Sequence, residues 1–126
     1  MRDRDAAIMS KIVQYAEEIC GTITRFDLDL EKFSSDYVAK NAIAMCILQV
    51  GELVGKLTDE FKATHAGMPW RDIVSMRNRT AHAYSSMDVE FIWKTAVLRI
   101  PELRAYCESI VRDFDEISSC EKSPPA

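Results

Sequence analysis

Turn-forming residues are scarce in this chain: four glycines and four prolines in 126 residues, with two of the prolines among the last three positions. A β-sandwich needs many turns, so that class is disfavoured and a helical protein is favoured. Histidine is scarcer still, present only as His65 and His82, and no two of the four cysteines (Cys20, Cys46, Cys107, Cys120) make a C-x-x-C pair. A structural zinc site therefore has almost nothing to build on, and reduced thiols are expected rather than disulfides. No uncharged run exceeds Asn41–Gly51, which is short of the roughly 20 apolar residues of a membrane span. No apolar region follows Met1-Arg2-Asp3-Arg4-Asp5, so no secretory signal is read and a cytoplasmic location is expected. A basic excess is also missing. The net charge is −4, which argues against an extended nucleic-acid surface and confines any such function to a local basic site.

What is present is a globular composition, 48% apolar and 29% charged, at the length of one domain. The expected layout is a single helical domain over residues 1–118 and a flexible tail over 119–126, where Ser-Pro-Pro ends the chain. Ile8, Ile12, Tyr15, Ile19 and Ile23 recur at three- and four-residue spacing and predict a first helix over Asp5–Ile23. A linker, Phe26–Phe33, follows, with room for one helical turn. Ser34 or Ser35 reads as the N-cap of a long second helix, Asp36–Thr64, with Asp36 in its first turn. The middle of that helix, Ala42–Val50, is apolar almost all round and calls for burial on more than one side, as a bundle interior plus a subunit interface would provide. His65-Ala66-Gly67 reads as its end, with Gly67 suited to a left-handed conformation.

A third helix starts near Pro69 and runs to Ala81 or Ala83. Asp88 is a good N-cap for a fourth helix beginning at Val89, which Pro101 either kinks or splits. Its continuation carries Leu103, Tyr106, Ile110 and Phe114 at helical spacing. Short connections make neighbouring helices antiparallel. The expectation is an all-α antiparallel bundle of four to five helices that pairs as a homodimer.

One stretch does not look like a solvated face. Arg77, Asn78, Arg79, His82 and Tyr84 fall within eight residues. On a regular helix Asn78 and His82 share a face, as do Arg77 and Tyr84, while Arg77 and His82 stand about 140° apart. The last two converge if the helix unwinds near His82, or if a symmetry mate brings a second copy of the segment alongside. Histidine can move a proton near neutrality. Arginine can clamp a phosphate with two hydrogen bonds. RNA carries its own nucleophile, the 2′-hydroxyl, so a proton carrier and a cation suffice to cleave it and no metal or other cofactor is required. The bland alternative is a charged helix face, with His82 favouring the helix dipole and Tyr84 filling space.

The same residues carry a resemblance. Arg77-Asn78-Arg79-Thr80-Ala81-His82-Ala83-Tyr84 resembles the R-x-x-x-x-H-x-Y motif of HEPN-domain ribonucleases in the form seen in HepT toxins. Pro69-Trp70 before the motif, Met87-Asp88, Ile92-Trp93 and Ile100-Pro101-Glu102-Leu103 after it, and Gly51-Glu52 upstream are similar too, so the likeness spans about Asp5 to Val111. It implies an all-helical, HEPN-like dimer that acts as a metal-independent RNase, with tRNA as a target class. The implied partner is MntA, a minimal nucleotidyltransferase antitoxin that transfers AMP from ATP onto the motif tyrosine, here Tyr84. Bulk and negative charge added beside a phosphate site would repel RNA. By the same resemblance Arg77 stabilises the scissile phosphate and His82 acts as general base or acid. Asn78, one turn away, would orient His82, and Arg79 is a candidate RNA phosphate contact outside the motif. Ser75 where relatives carry Gly, and the polar turn Ser85-Ser86 after Tyr84, depart from the pattern at the rim. Glu52 reads as an ion-pair partner first and a site residue second. His65, Trp70 and Trp93 read as structural. Two other readings stand beside the enzyme: a non-catalytic helical adaptor of a nucleotidyltransferase, and a purely structural dimeric bundle.

Overall fold

Asp29, Asp36, Thr58 and Asp88 all sit outside helical geometry or at its edge, and each turns its side-chain oxygen onto a free backbone N–H of the turn that follows. These caps set where the helices of the computed structural model begin. It describes residues 3–86 and 88–122, with side chains for 4–86 and 88–113. The helices are α1 (Asp3–Arg25), α2 (Leu30–Ser35), α3 (Tyr37–Gly55), α4 (Asp59–Thr64), α5 (Trp70–Ser85), α6 (Val89–Lys94) and α7 (Ile100–Lys122), with a π-helical stretch at Thr95–Arg99 between the last two. Among the described residues there is no strand, and the all-α expectation holds.

The layout follows from which faces are apolar. α1 buries Ile8, Ile12 and Ile19 as its periodicity predicts, together with Met9 and Ala16. α3 lies between α1 and α5, and α7 covers the other side of α1. By length and mean hydropathy α3 passes as a membrane-crossing helix. Its position explains the apolarity without a membrane: Ile43, Ile47, Val50 and Val54 are all buried in the bundle core.

Several boundaries differ from expectation. The hydroxyls of Ser34 and Ser35 bond back to carbonyls of Leu30, Glu31 and Lys32 and close α2. Asp36 is the residue that caps α3, accepting from the N–H groups of Val38 and Ala39 at 3.1 Å each. The expected long helix Asp36–Thr64 is broken after Gly55. Asp5 of α1, only 1% exposed, accepts from the Thr58 N–H at 3.0 Å and its hydroxyl at 2.8 Å. That tie holds Thr58 extended, and it caps the separate helix α4.

Gly67 has no left-handed backbone, since no described glycine has a positive φ. It is needed for space: a Cβ there would lie 2.9 Å from the Tyr106 ring. The Tyr106 hydroxyl and the Trp70 indole N–H both donate to the His65 carbonyl, at 3.1 Å and 2.8 Å. Ahead of Pro101 the regular α-helix is interrupted, as one of the two expectations for this proline had it: α6 ends at Lys94, α7 begins at Ile100, and the π-helical stretch lies between them. The missing N–H is absorbed one turn earlier, where Ile100 N–H bonds Thr95 O in the wider π pattern. The Phe114 and Cys120 side chains and residues 123–126 of the expected tail lie outside the described residues.

Candidate functional site: the face of α5 between α3 and α6

Arg77 is placed by a glycine. Where α3 and α5 cross, a Cβ on Gly51 would overlap the Arg77 Cβ and stand 2.6 Å from its Cγ. Only glycine lets the two helices meet that closely at this turn. The neighbouring Glu52 then faces the guanidinium, with its Oε1 3.0 Å from Arg77 Nε. The Nε–H is not directed at that oxygen, so this is an ion pair without a well-formed hydrogen bond at Nε. Arg77 Nη1 donates to Asn78 Oδ1 at 3.2 Å. Both charged side chains are partly solvated, so the pair adds under about 1 kcal/mol of stability. Its effect is to aim the guanidinium.

His82 stands on the exposed face of α5, and no described side chain hydrogen-bonds its ring. It lines an open groove of ≈ 400 Å³ with Asn78, Arg79, Asp88 and Phe91. Asn78 is therefore the link across the helix: its amide oxygen is engaged by Arg77, while its position borders the groove of His82. The expected bond from Asn78 to His82 is not formed. Arg79 lies against Phe91, with its guanidinium carbon 5.9 Å from the ring centroid. α5 stays helical through His82 to Ser85, so the helix does not unwind to bring Arg77 and His82 together.

Tyr84 opens elsewhere. It points along the α3 seam, is 42% exposed, and its hydroxyl donates to Asn41 Oδ1 at 2.8 Å. A cavity of ≈ 240 Å³ beside it is walled by Tyr37, Lys40, Asn41, Tyr84, Val89 and Ile92. Asn41 was missed at the level of sequence. The signal was there, since it opens the uncharged run of α3 and is one of only two amide side chains in it. Phe91 and Asp88 were missed as groove walls because only the fold sets α6 against α5.

The structural readings of other residues stand. Trp70 is 6% exposed, Trp93 packs on Phe33 with ring centroids 5.2 Å apart, and His65 C-caps α4 with its ring against Phe61. Cys20, Cys46 and Cys107 are free thiols. Among the described residues no group of three His, Cys, Asp or Glu side chains is placed to hold a metal ion.

An arginine steered by a carboxylate and, on another side of the same helix, an unengaged histidine in an open groove are groups that can bind a phosphodiester and move a proton. Comparison with known proteins agrees with that chemistry. The family described as "Ribonuclease HepT-like" matches residues 12–110, and the chain belongs to this family of ribonucleases. "Putative RNase MJ0125" of Methanocaldococcus jannaschii is 29% identical over 110 residues, covering 87% of this chain and 93% of its own. "Probable ribonuclease HepT" of Thermococcus cleftensis is 30% identical over 105 residues, covering 83% and 87%. No solved structure matches the chain.

Proposed function

We propose that the chain is the toxin of a toxin–antitoxin pair, a cytoplasmic homodimer that cleaves RNA without a metal. The target class suggested is tRNA. An MntA-like nucleotidyltransferase antitoxin silences it by placing AMP on Tyr84. The observation that carries the reading is Arg77, paired with Glu52 and bonded to Asn78, on the same helix as the unengaged His82, whose groove Asn78 also lines.

In this reading His82 takes the proton of the RNA 2′-hydroxyl, or delivers one to the leaving 5′-oxygen. The 2′-oxygen bonds to phosphorus as the P–O5′ bond breaks. Arg77 meets the negative charge that grows on the phosphoryl oxygens. One protomer's Arg77 and His82 stand on different sides of an unbroken helix, so a second copy is the remaining route to join them. An exposed stripe on α3 supports such pairing. Val38 and Met45 are 64% and 55% exposed, and with Asn41 and Glu52 they follow the same seam that carries Tyr84 and Arg77. In the silencing step the Tyr84 oxygen attacks the α-phosphorus of ATP, pyrophosphate leaves, and the phenolic proton passes to a base of the antitoxin or to water. The exposed hydroxyl, already held by Asn41, suits an acceptor role.

The test is RNA cleavage by purified protein in EDTA, with intact mass recorded first to exclude a Tyr84-modified sample. Cleavage by wild type and none by Arg77→Ala or His82→Ala is expected. No cleavage of a broad RNA pool by unmodified protein overturns the enzyme reading in favour of an adaptor. Mixing the two inactive variants tests the shared site. If Arg77 works with the His82 of the second copy, randomised dimers regain about a quarter of wild-type activity. No recovery from mixed dimers means the site is not shared.

A further inference from the structure

The groove of His82 does not end at Arg79. A second depression of ≈ 210 Å³ is lined by Met76, Arg79, Phe91, Lys94, Thr95, Leu98 and Arg99. It shares two walls, Arg79 and Phe91, with the ≈ 400 Å³ groove of Asn78 and His82. The two are thus adjoining parts of one channel, with the Arg79 guanidinium and the Phe91 ring forming the ridge between them.

The charge along this channel is unlike that of the chain. The protein has 20 acidic and 16 basic residues, yet Arg79, Lys94 and Arg99 gather on the far half of the channel. Arg79 and Arg99 make no ion pair with a described residue. Lys94 pairs with Glu90 at 3.1 Å, both more than half exposed, a contact weak enough for a phosphate to replace. Asp88, the acid that lines the His82 groove, is engaged as the N-cap of α6, accepting from Phe91 N–H at 3.2 Å.

An apolar feature sits among these cations. Leu98 is 65% exposed in the π-helical stretch, and Arg99 next to it is exposed as well. Leu98 and Phe91 thus line the same depression as Arg79, Lys94 and Arg99. A ligand with phosphates and flat apolar faces matches both kinds of lining. Single-stranded nucleic acid has that chemistry, with phosphates for the cations and bases for the aromatic and apolar surfaces. A duplex hides its bases and would use the cations alone.

We propose that the channel from His82 across Arg79 and Phe91 to Lys94, Leu98 and Arg99 is a track for single-stranded RNA flanking the bond to be cut. This rests on the ribonuclease reading and assigns it a substrate-binding surface outside the motif. Lys94, Leu98 and Arg99 become determinants of substrate length rather than of chemistry.

The experiment measures binding of a single-stranded RNA oligonucleotide across a salt series, using full-length His82→Ala protein to prevent cleavage. Adding Arg99→Gln is expected to weaken binding and to flatten the slope of log K against log salt by about 0.7, the value for one phosphate contact on a single strand. Leu98→Ser is expected to weaken single-strand binding several-fold while leaving the salt slope and duplex binding unchanged. With His82 present, Arg99→Gln is expected to slow cleavage of the long RNA and not of a dinucleotide, which spans only the His82 groove. Unchanged salt slopes for both Arg99→Gln and Lys94→Gln, in a protein whose wild type cuts RNA, overturn the track alone and leave the channel to an acidic protein surface. A wild type that binds RNA with an Arg99-dependent slope but never cuts it overturns the ribonuclease reading and keeps the track. A wild type that neither binds nor cuts RNA overturns both.

Discussion

Replacing Gly51 by alanine sets two known effects against each other. In an exposed helix interior the change stabilises by about 1 kcal/mol through helix propensity. Here the new Cβ would overlap the Arg77 Cβ, lie 2.6 Å from Cγ and 3.3 Å from Cα. Non-bonded carbons settle at about 3.5–4.0 Å. Two of the three opposing atoms are fixed by the α5 backbone, so no rotamer relieves the contact and the helices must part by roughly 1 Å. Overpacking of that kind costs about 1–3 kcal/mol. The contact lies at the crossing of two core helices, so the upper end applies and the net loss is about 2 kcal/mol. At this chain length that lowers Tm by roughly 8 °C. Gly21→Ala is the control, because nothing lies within 4 Å of a Cβ there. It should gain about 0.5–1 kcal/mol. Thermal and urea unfolding followed by circular dichroism measure both. If Gly51→Ala is stabilised like Gly21→Ala, the close approach that positions Arg77 is refuted.

Glu52→Ala removes an exposed partner of Arg77 and should cost under about 1 kcal/mol of stability, while RNA cleavage falls roughly 10-fold as the guanidinium loses its aim; unfolding curves and initial rates separate the two. Thr80 has a fully buried hydroxyl with no hydrogen-bond partner, so Thr80→Val should hold or raise stability by about 1 kcal/mol, read from the urea midpoint. Asp5→Ala strips the Thr58 N–H and hydroxyl of their acceptor and should cost about 2–3 kcal/mol, with amide exchange at the start of α4 rising most. Burial, helped by Glu18 and Glu108 respectively, pushes the Cys46 thiol up to about 11 and the Cys107 thiol up to about 12 from 9.0. The unfolded chain then ionises these thiols first, so stability is constant below pH 9 and falls as pH rises from there toward 11–12. The fall is at most about 1.4 kcal/mol per pH unit for Cys107. Cys107→Ala should flatten that alkaline decline, and iodoacetamide at pH 8 should leave native Cys107 unmodified by mass.

The helical class, the stripe of α1, the start of α5 after Pro69 and the cap at Asp88 were legible in the sequence, because spacing and capping chemistry act over one or two turns. Arg77, His82 and Tyr84 stood out as candidates because they lie close together in one segment. Local signals also ranked wrongly where two competed. Two serines preceded Asp36, but the carboxylate took the cap and the serines closed the helix before it. The break after Gly55 was not decided locally at all. It depends on Asp5, 53 residues away, because a buried carboxylate must find donors and Thr58 supplies two.

The sequence by itself determined that the chain is helical and which residues are candidates for phosphate and proton chemistry, since those are properties of residue type and period. Tertiary structure decided how they are divided. Arg77 is seated by Gly51 and Glu52 of α3, Tyr84 is bonded to Asn41 on the same helix, and His82 opens toward α6 beside Arg79 and Phe91. Helical period places residues around one axis. Only the packing of a second and third helix against that axis determines which of them share a cavity.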